Sequence, residues 1–140
     1  MEINLHIQCK KIDKNHKEAL EEYIKRLSPW CKVKLYAYKT FSNQNLRKGT
    51  KLFFLTPGNH TLSSPELSDM INTLNIKGYS CIDFFINPKK EFIDSFYEKD
   101  FSFELFHLSS FDMSHQLTAV VLTEQLYRAY TIQNNITYHK

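Results

Sequence analysis

The sequence predicts an α/β protein with a mostly parallel sheet flanked by helices on both faces, and three observations carry that prediction. Short apolar runs of strand length (residues 3–7, 52–55 and 81–86) alternate with segments whose apolar residues recur at helical spacing. The runs at 52–55 and 81–86 are apolar almost without a break, the pattern of strands buried on both sides, as parallel sheets require. Turn formers close each run, Pro57-Gly58 after the first and Asn87-Pro88 after the second. Strands that alternate with helices in this way are joined as βαβ units.

The elements follow in order. Ile3, Leu5 and Ile7 alternate with polar residues and read as a half-buried strand. Asp13 or Asn15 can cap a helix running to about Leu27, with Ala19, Leu20, Tyr23, Ile24 and Leu27 on one stripe, and Ser28-Pro29 ends it. Val33, Leu35 and Ala37 share one face of a second strand, with Lys34 and Tyr36 on the other. Residues 42–50, SNQNLRKGT, are polar, carry Gly49 and read as loop. Ser63-Ser64-Pro65-Glu66 has the cap-then-proline order of a helix start. Leu67, Met70, Ile71 and Leu74 supply that helix's apolar face, and Gly78 lies just past its end. A short helix is expected over 91–97, a last strand over 103–108, and the longest helical pattern over 114–130. Open sheets of this kind bind ligands at the carboxyl ends of their strands. The loops after Leu55, Ile86 and Leu108 are therefore the ones expected to matter.

Composition narrows the function classes. The 140 residues suit one domain, 1–140, and 42% hydrophobic and 14% aromatic content argue against disorder. No run approaches the roughly 20 apolar residues of a membrane span. The N-terminus lacks the parts of a signal peptide. A cytoplasmic protein with no membrane partner is expected. Cys9, Cys31 and Cys81 are far apart and in no CxxC pair, so they read as buried thiols rather than a disulfide framework or zinc site. The two N-x-[ST] matches, at Asn59 and Asn135, carry no meaning without secretion. The net charge of +3 is diffuse: Lys10, Lys11, Lys14 and Lys17 flank the first helix start, Lys25 and Arg26 end it, and Arg47, Lys48 and Lys51 crowd the polar loop.

With only Gly49, Gly58 and Gly78, neither a Walker loop nor a GxGxxG fingerprint can be built. His115 alone reads as a cap or surface residue as readily as a functional one. Glu124 and Arg128, spaced i, i+4, can form an ordinary helix pair. The end of the chain is less ordinary. Tyr127-Arg128-Ala129-Tyr130 and the terminal Tyr138-His139-Lys140 gather aromatic, imidazole and cationic groups, chemistry suited to stacking on bases and pairing with phosphate.

His115-Gln116, then Thr123-Glu124-Gln125-Leu126-Tyr127-Arg128-Ala129-Tyr130, then Tyr138-His139-Lys140 closely resemble the signature of the ribosomal RNA large-subunit methyltransferase H family, small enzymes of the SPOUT superfamily. The likeness extends to Glu21-Glu22-Tyr23, Lys25-Arg26-Leu27 and Leu62-Ser63-Ser64, and so covers most of the chain. It implies a SPOUT-type trefoil knot, the last helix threading back through three loops. It also implies methyl transfer from S-adenosylmethionine to N3 of a pseudouridine in large-subunit ribosomal RNA, by a homodimer acting on the assembled ribosome. No metal is implied.

Carried onto this sequence, the resemblance implies cofactor contacts at Leu55, at Asn87, and along Leu108, Ser109, Ser110, Phe111, Asp112 and Met113. It implies RNA contacts at His115, Arg128 and Lys140, with Arg128 and Lys140 on phosphate. Tyr138 and His139 are the implied catalytic pair, stacking on or orienting the target base, with His139 the helper if a base is needed. The sequence departs from the family's pattern in several places. Asn87-Pro88-Lys89 stands where a pair of glycines normally lets backbone approach the ligand. Ser114 replaces a proline, and Ala119 an arginine. Between Thr40 and Lys51 the chain is shorter by roughly one helix, on the order of 20 residues or about 30 Å. Two further readings stay open at this stage: a catalytically lapsed SPOUT homologue that binds RNA or ribosome without methylating, and an unrelated α/β interaction module.

Overall fold

The computed structural model describes residues 1–42, 46–99 and 102–138. In chain order the elements are β1 (Glu2–Gln8), α1 (Lys14–Leu27), β2 (Lys32–Tyr38), β3 (Thr50–Leu55), α2 (Ser64–Ile76), β4 (Cys81–Ile86), α3 (Lys90–Tyr97), β5 (Phe103–Phe106) and α4 (His115–Gln133). The strands form one sheet in the order β2-β1-β4-β3-β5, and every pairing is parallel. The α/β class and the strand–helix alternation are as the sequence predicts.

Local chemistry sets the helix ends. Asp13 caps α1, its Oδ1 accepting from the His16 N–H at 3.0 Å. Ser63 caps α2 through a capping box: its Oγ accepts from the Glu66 N–H, and the Glu66 carboxylate accepts from the Ser63 N–H. At the far end Gly78 takes φ +91°, which lets the Gly78 and Tyr79 N–H groups reach back to the carbonyls of Asn75 and Leu74. Ser114 caps α4, with its Oγ accepting from the Leu117 N–H. Helix α4 runs three residues beyond the expected end and closes on Asn135 at φ +54°, whose αL geometry turns the tail back along the helix.

One face of the sheet, with Ile3, Leu5, Ile7, Phe53, Leu55, Ile82, Phe84 and Ile86, buries against α1, α2 and α4. Helix α4 lies between the other two helices. Leu122, Leu126 and Ala129 are fully buried, and Gln133 Nε2 donates to the Ser68 carbonyl of α2 at 2.9 Å. Val120 and Val121 are half-buried, whereas Leu126 is core. Ala119 is also fully buried, so an arginine could not stand there without rebuilding the core.

The opposite face carries a helix as well, the short α3. Only its upper part is roofed, where α3 and Phe41 bury Leu52, Phe54, Phe85 and Phe96 in an aromatic cluster. The described residues of the β2–β3 connection, 39–42 and 46–49, hold no helix, so nothing helical covers the lower part. Residues 43–45 of the expected polar loop lie outside the described residues, and Thr50 belongs to β3. Strand β1, expected to be half-buried, is instead buried on both faces, Asn4 and His6 included, because it is paired on both sides by β2 and β4.

Candidate functional site

Three loops meet at the carboxyl ends of β3, β4 and β5. Leu55, Thr56 and Pro57 from the first, Asn87 from the second, and Leu108, Ser109, Phe111 and Met113 from the third line one cleft, with Thr118 of α4 at its base. The three loops marked for attention in the sequence are therefore one site. Of the cofactor residues expected there, Leu55, Asn87, Leu108, Ser109, Phe111 and Met113 line the cleft. Ser110 and Asp112 do not; both are exposed on the outside of the third loop. Thr56, Pro57 and Thr118 were missed, although each adjoins a residue or motif already singled out.

Asn87 takes φ +47°. That left-handed conformation is what glycine normally supplies, and asparagine is the side chain that tolerates it best after glycine. Its N–H donates to the Leu55 carbonyl at 2.8 Å and joins the first two loops. Its Nδ2 reaches the Met113 carbonyl at 3.4 Å and Thr118 Oγ1 at 3.5 Å, and so spans the cleft to the third loop. Pro88 is buried but does not line the cleft.

Gly58 and His107 lock the first loop to the third. The Gly58 N–H donates to the Ser109 carbonyl at 3.1 Å, and His107 Nδ1 lies 2.7 Å from the Thr56 carbonyl. A Cβ on Gly58 would sit 2.5 Å from His107 Nδ1, so only glycine lets the ring lie there. Gly58→Ala is expected to cost about 1–3 kcal/mol of stability through overpacking and to displace the third loop. Thermal unfolding together with the His107 ring resonances checks this; an unmoved ring would show that the loop accommodates the methyl group.

The cleft is small, about 10 Å³, room for about one water. Its donor set suits a nucleoside-type cofactor: apolar Leu55, Pro57, Leu108 and Met113 for a base, with backbone groups and the Thr118 hydroxyl beside them. A nucleoside is larger than this space, so the loops must part to admit one. Gly58 to Ser109, His107 to Thr56 and Asn87 to Met113 tie the third loop to the others, and its Phe111 is 78% exposed.

Helix α4 carries the other site residues. His115 Nδ1 is 3.2 Å from the Gln8 carbonyl, and Gln116 bridges the β1–α1 loop, accepting from the Asp13 N–H and donating to the Lys11 carbonyl. One ring nitrogen of His115 is thus spent on the fold. The exposed Lys10, Lys11 and Lys14 after β1, and Lys89 and Lys90 after the parallel β4, form a cationic rim at the carboxyl end of the sheet. Sequence had noted the first three without placing them near the site.

Arg128 grips Glu124 with a fork of 3.1 and 2.6 Å, so the i, i+4 pair does form. Tyr138 folds back beside it. Its ring packs edge-on against Tyr127, lies under the Arg128 guanidinium, and its hydroxyl donates to Glu124 at 3.2 Å. Burial, then contact with Tyr23 and the Glu124 charge, push the Tyr138 phenol from 10 up to about 12. It therefore keeps its proton at neutral pH and acts as a donor, not a base. Because the fold favours the neutral phenol, its contribution to stability is complete below pH 10 and is lost as pH rises through about 12. Melting temperatures across that window should fall more steeply for the native chain than for Tyr138→Phe; parallel curves would contradict the assignment.

Glu124 lies six residues beyond Thr118, about 9 Å along the helix axis. Within one chain, then, Tyr138 and Arg128 stand away from the cleft. His139 and Lys140 lie outside the described residues. Burial pushes the Cys31 thiol up to about 11, in keeping with an inert core cysteine. Among the described residues no group of three or more His, Cys, Asp or Glu side chains could hold a metal, and no helix is long and apolar enough to cross a membrane.

Comparison with known proteins agrees with this geometry. Residues 1–139 match the family described as "Predicted SPOUT methyltransferase". The protein of Mycoplasmopsis synoviae (strain 53) named "Ribosomal RNA large subunit methyltransferase H" is 33% identical over 156 residues, covering all of both chains. "Ribosomal RNA large subunit methyltransferase H 1" of Thermoanaerobacter sp. (strain X514) is 32% identical over 143 residues, again all of both. The protein from Oenococcus oeni bearing the H name is 30% identical over 149 residues, covering 91% of this chain and 92% of its own. An alignment of 143 positions containing all 140 residues here leaves no room for an extra helix in the Thermoanaerobacter relative. The short β2–β3 connection therefore does not set this chain apart from every relative.

Proposed function

This chain belongs to the SPOUT methyltransferase family, and from that premise we propose that it transfers the methyl group of S-adenosylmethionine to N3 of a pseudouridine in large-subunit ribosomal RNA. In this reading residues 1–140 form one methyltransferase domain carrying the family's trefoil knot. The domain works as a homodimer in the cytoplasm, on the assembled ribosome. The observation that carries the reading is Asn87: where the glycine pair is gone, the backbone takes a left-handed turn of the kind glycine favours and bonds to Leu55. The same observation disfavours a lapsed homologue, because Asn87 ties the loop to Leu55 and Pro88 does not line the cleft.

When bound, S-adenosylmethionine supplies an activated methyl group on a sulfonium centre. The chain's own residues do the rest. Leu55, Leu108 and Met113 offer apolar walls to the adenine, and backbone groups of the three loops orient the ribose and amino-acid ends. Closing the third loop, with Phe111 as its exposed tip, excludes water from the reacting centre. Tyr138, protonated, and His139 orient the target base by stacking and donation, while Arg128, His115, Lys140 and the lysine rim hold phosphate. N3 must lose a proton as the methyl arrives, and His139 is the side chain assigned to assist.

Titration calorimetry with S-adenosylmethionine, followed by mass spectrometry of ribosomal RNA from a gene-deletion strain, tests the proposal. Micromolar binding and loss of one N3-methylpseudouridine are expected. Binding with an unchanged mark would move the activity to another RNA; no binding would restore the lapsed homologue.

A further inference from the structure

The sheet face turned away from α4 holds a second cavity, remote from the cleft. It measures about 370 Å³ and lies where, among the described residues, no helix covers the lower half of that face; Asn4, His6, Lys34, Tyr36, Arg47 and Asp83 are among its walls. That volume lies within the roughly 300–1,000 Å³ typical of small-molecule sites.

Its floor is polar in a way the fold alone does not explain. Asn4, His6 and Asp83 are 7%, 5% and 4% exposed. The Asn4 amide donates to Asp83 Oδ1 at 2.7 Å and to Cys81 Sγ at 3.2 Å, which fixes its orientation and turns its carbonyl oxygen the other way. Asn4 Oδ1 then has no hydrogen-bond partner among the described residues, and neither has His6 Nε2, whose approach to Asp83 Oδ2 is 3.7 Å. Buried acceptors left unmatched cost stability and require a reason. The cations at the rim do not supply one, since Lys34 (2.8 Å) and Arg47 both pair with Glu2.

The floor thus sets the unpaired Asn4 carbonyl beside the Asp83 carboxylate, and the two together ask for neighbouring donors. One wall is formed by the flat rings of His6 and Tyr36, stacked at 5.2 Å and 13° from parallel, with Phe85 backing His6 at 4.2 Å and Tyr36 37% exposed. Flat surface beside paired acceptors fits a planar group carrying adjacent N–H bonds. The rim cations could exchange Glu2 for an anionic group on the same ligand.

We propose that this cavity binds a small molecule bearing a planar fork of N–H donors, either the amidine edge of a guanine nucleotide or the guanidinium of arginine. The site is independent of methyl transfer and stands or falls without it.

Titrating the full chain with guanosine monophosphate, L-arginine and adenosine monophosphate, followed by amide and ring resonances, tests the proposal. Saturable shifts centred on Asn4, His6 and Tyr36 are expected with the nucleotide or with arginine, and whichever saturates identifies the source. Adenosine monophosphate, which lacks the double-donor edge, should bind at least about tenfold more weakly than guanosine monophosphate if the nucleotide is the ligand. Asp83→Asn should weaken binding about tenfold or more while leaving S-adenosylmethionine affinity unchanged. Should that variant fail to fold, Tyr36→Ala on the sheet's edge strand should lower affinity severalfold. No saturation by either fork-bearing ligand up to about 10 mM, equal binding of the two nucleotides with no saturation by arginine, or shifts confined to residues 108–113 would overturn it.

Discussion

Asn87→Val is expected to lower S-adenosylmethionine affinity by at least about tenfold, while Asn87→Gly leaves it intact or raises it. The two substitutions separate backbone from side chain. Position 87 sits at φ +47°, immediately after β4 and one hydrogen bond from Leu55. A left-handed residue costs an ordinary L-amino acid about 1–2 kcal/mol, and a β-branched side chain is a clear outlier there. Valine must therefore pull the turn toward an extended path, breaking the bond to the Leu55 carbonyl and tilting the second loop into the cleft. Glycine holds the turn without strain. It forfeits only the two long contacts to Met113 and Thr118, and it empties the space that the asparagine side chain occupies. Glycine's greater freedom in the unfolded chain lowers stability by roughly 0.5–1 kcal/mol, which calorimetry of binding and of unfolding can resolve separately. If valine bound the cofactor as the native residue does, the cleft's backbone would not be what holds the ligand.

The same residue shows where the sequence was readable. Its identity announced a lost glycine, but only the φ angle shows that the asparagine in its place adopts a conformation glycine favours; residue type constrains backbone without fixing it. Periodicity revealed β3, β4 and α2 because their apolar residues are near neighbours in the chain. It misjudged β1 for the complementary reason. Asn4 and His6 alternate with Ile3, Leu5 and Ile7 as solvent-facing residues would, yet β1 is flanked by β2 and β4 and its polar side chains are buried. Alternation reports polarity along a strand, and burial depends on which strands pair with it. The Gly58–His107 contact was invisible for a similar reason: its two halves belong to different loops, and neither carries a local signal of the other. The cleft was reached through the rule that ligands bind at strand ends, together with a family resemblance. The position of the tail could not be read at all, because it depends on Asn135 turning left-handed past the end of α4.

That turn leads to the second large effect. An Asn87→Val chain, assayed at a cofactor concentration too low to fill its cleft, mixed with an inactive Tyr138→Ala chain should recover methyl transfer. Tyr138 is held against Tyr127, Arg128 and Glu124, and the cleft opens at the start of the same helix, about 9 Å back along its axis. A tail that orients the target base at its own cleft would have to abandon these contacts. A tail serving the cleft of a two-fold partner could keep them, since an isologous dimer brings one subunit's residue against a different residue of the other. The surface around the cleft suits such a partner: Leu62 (38%), Leu117 (42%) and Phe111 (78%) are exposed near the half-buried Val121. Random mixing then yields half heterodimers, each with one cleft damaged in both respects and one intact, so activity should rise from near nothing to about a quarter of the native level. Failure to recover, with heterodimers verified by mass spectrometry, would mean that the tail acts on its own subunit after leaving Glu124. In that case Glu124→Gln, which loosens both Arg128 and Tyr138, should speed the reaction rather than slow it.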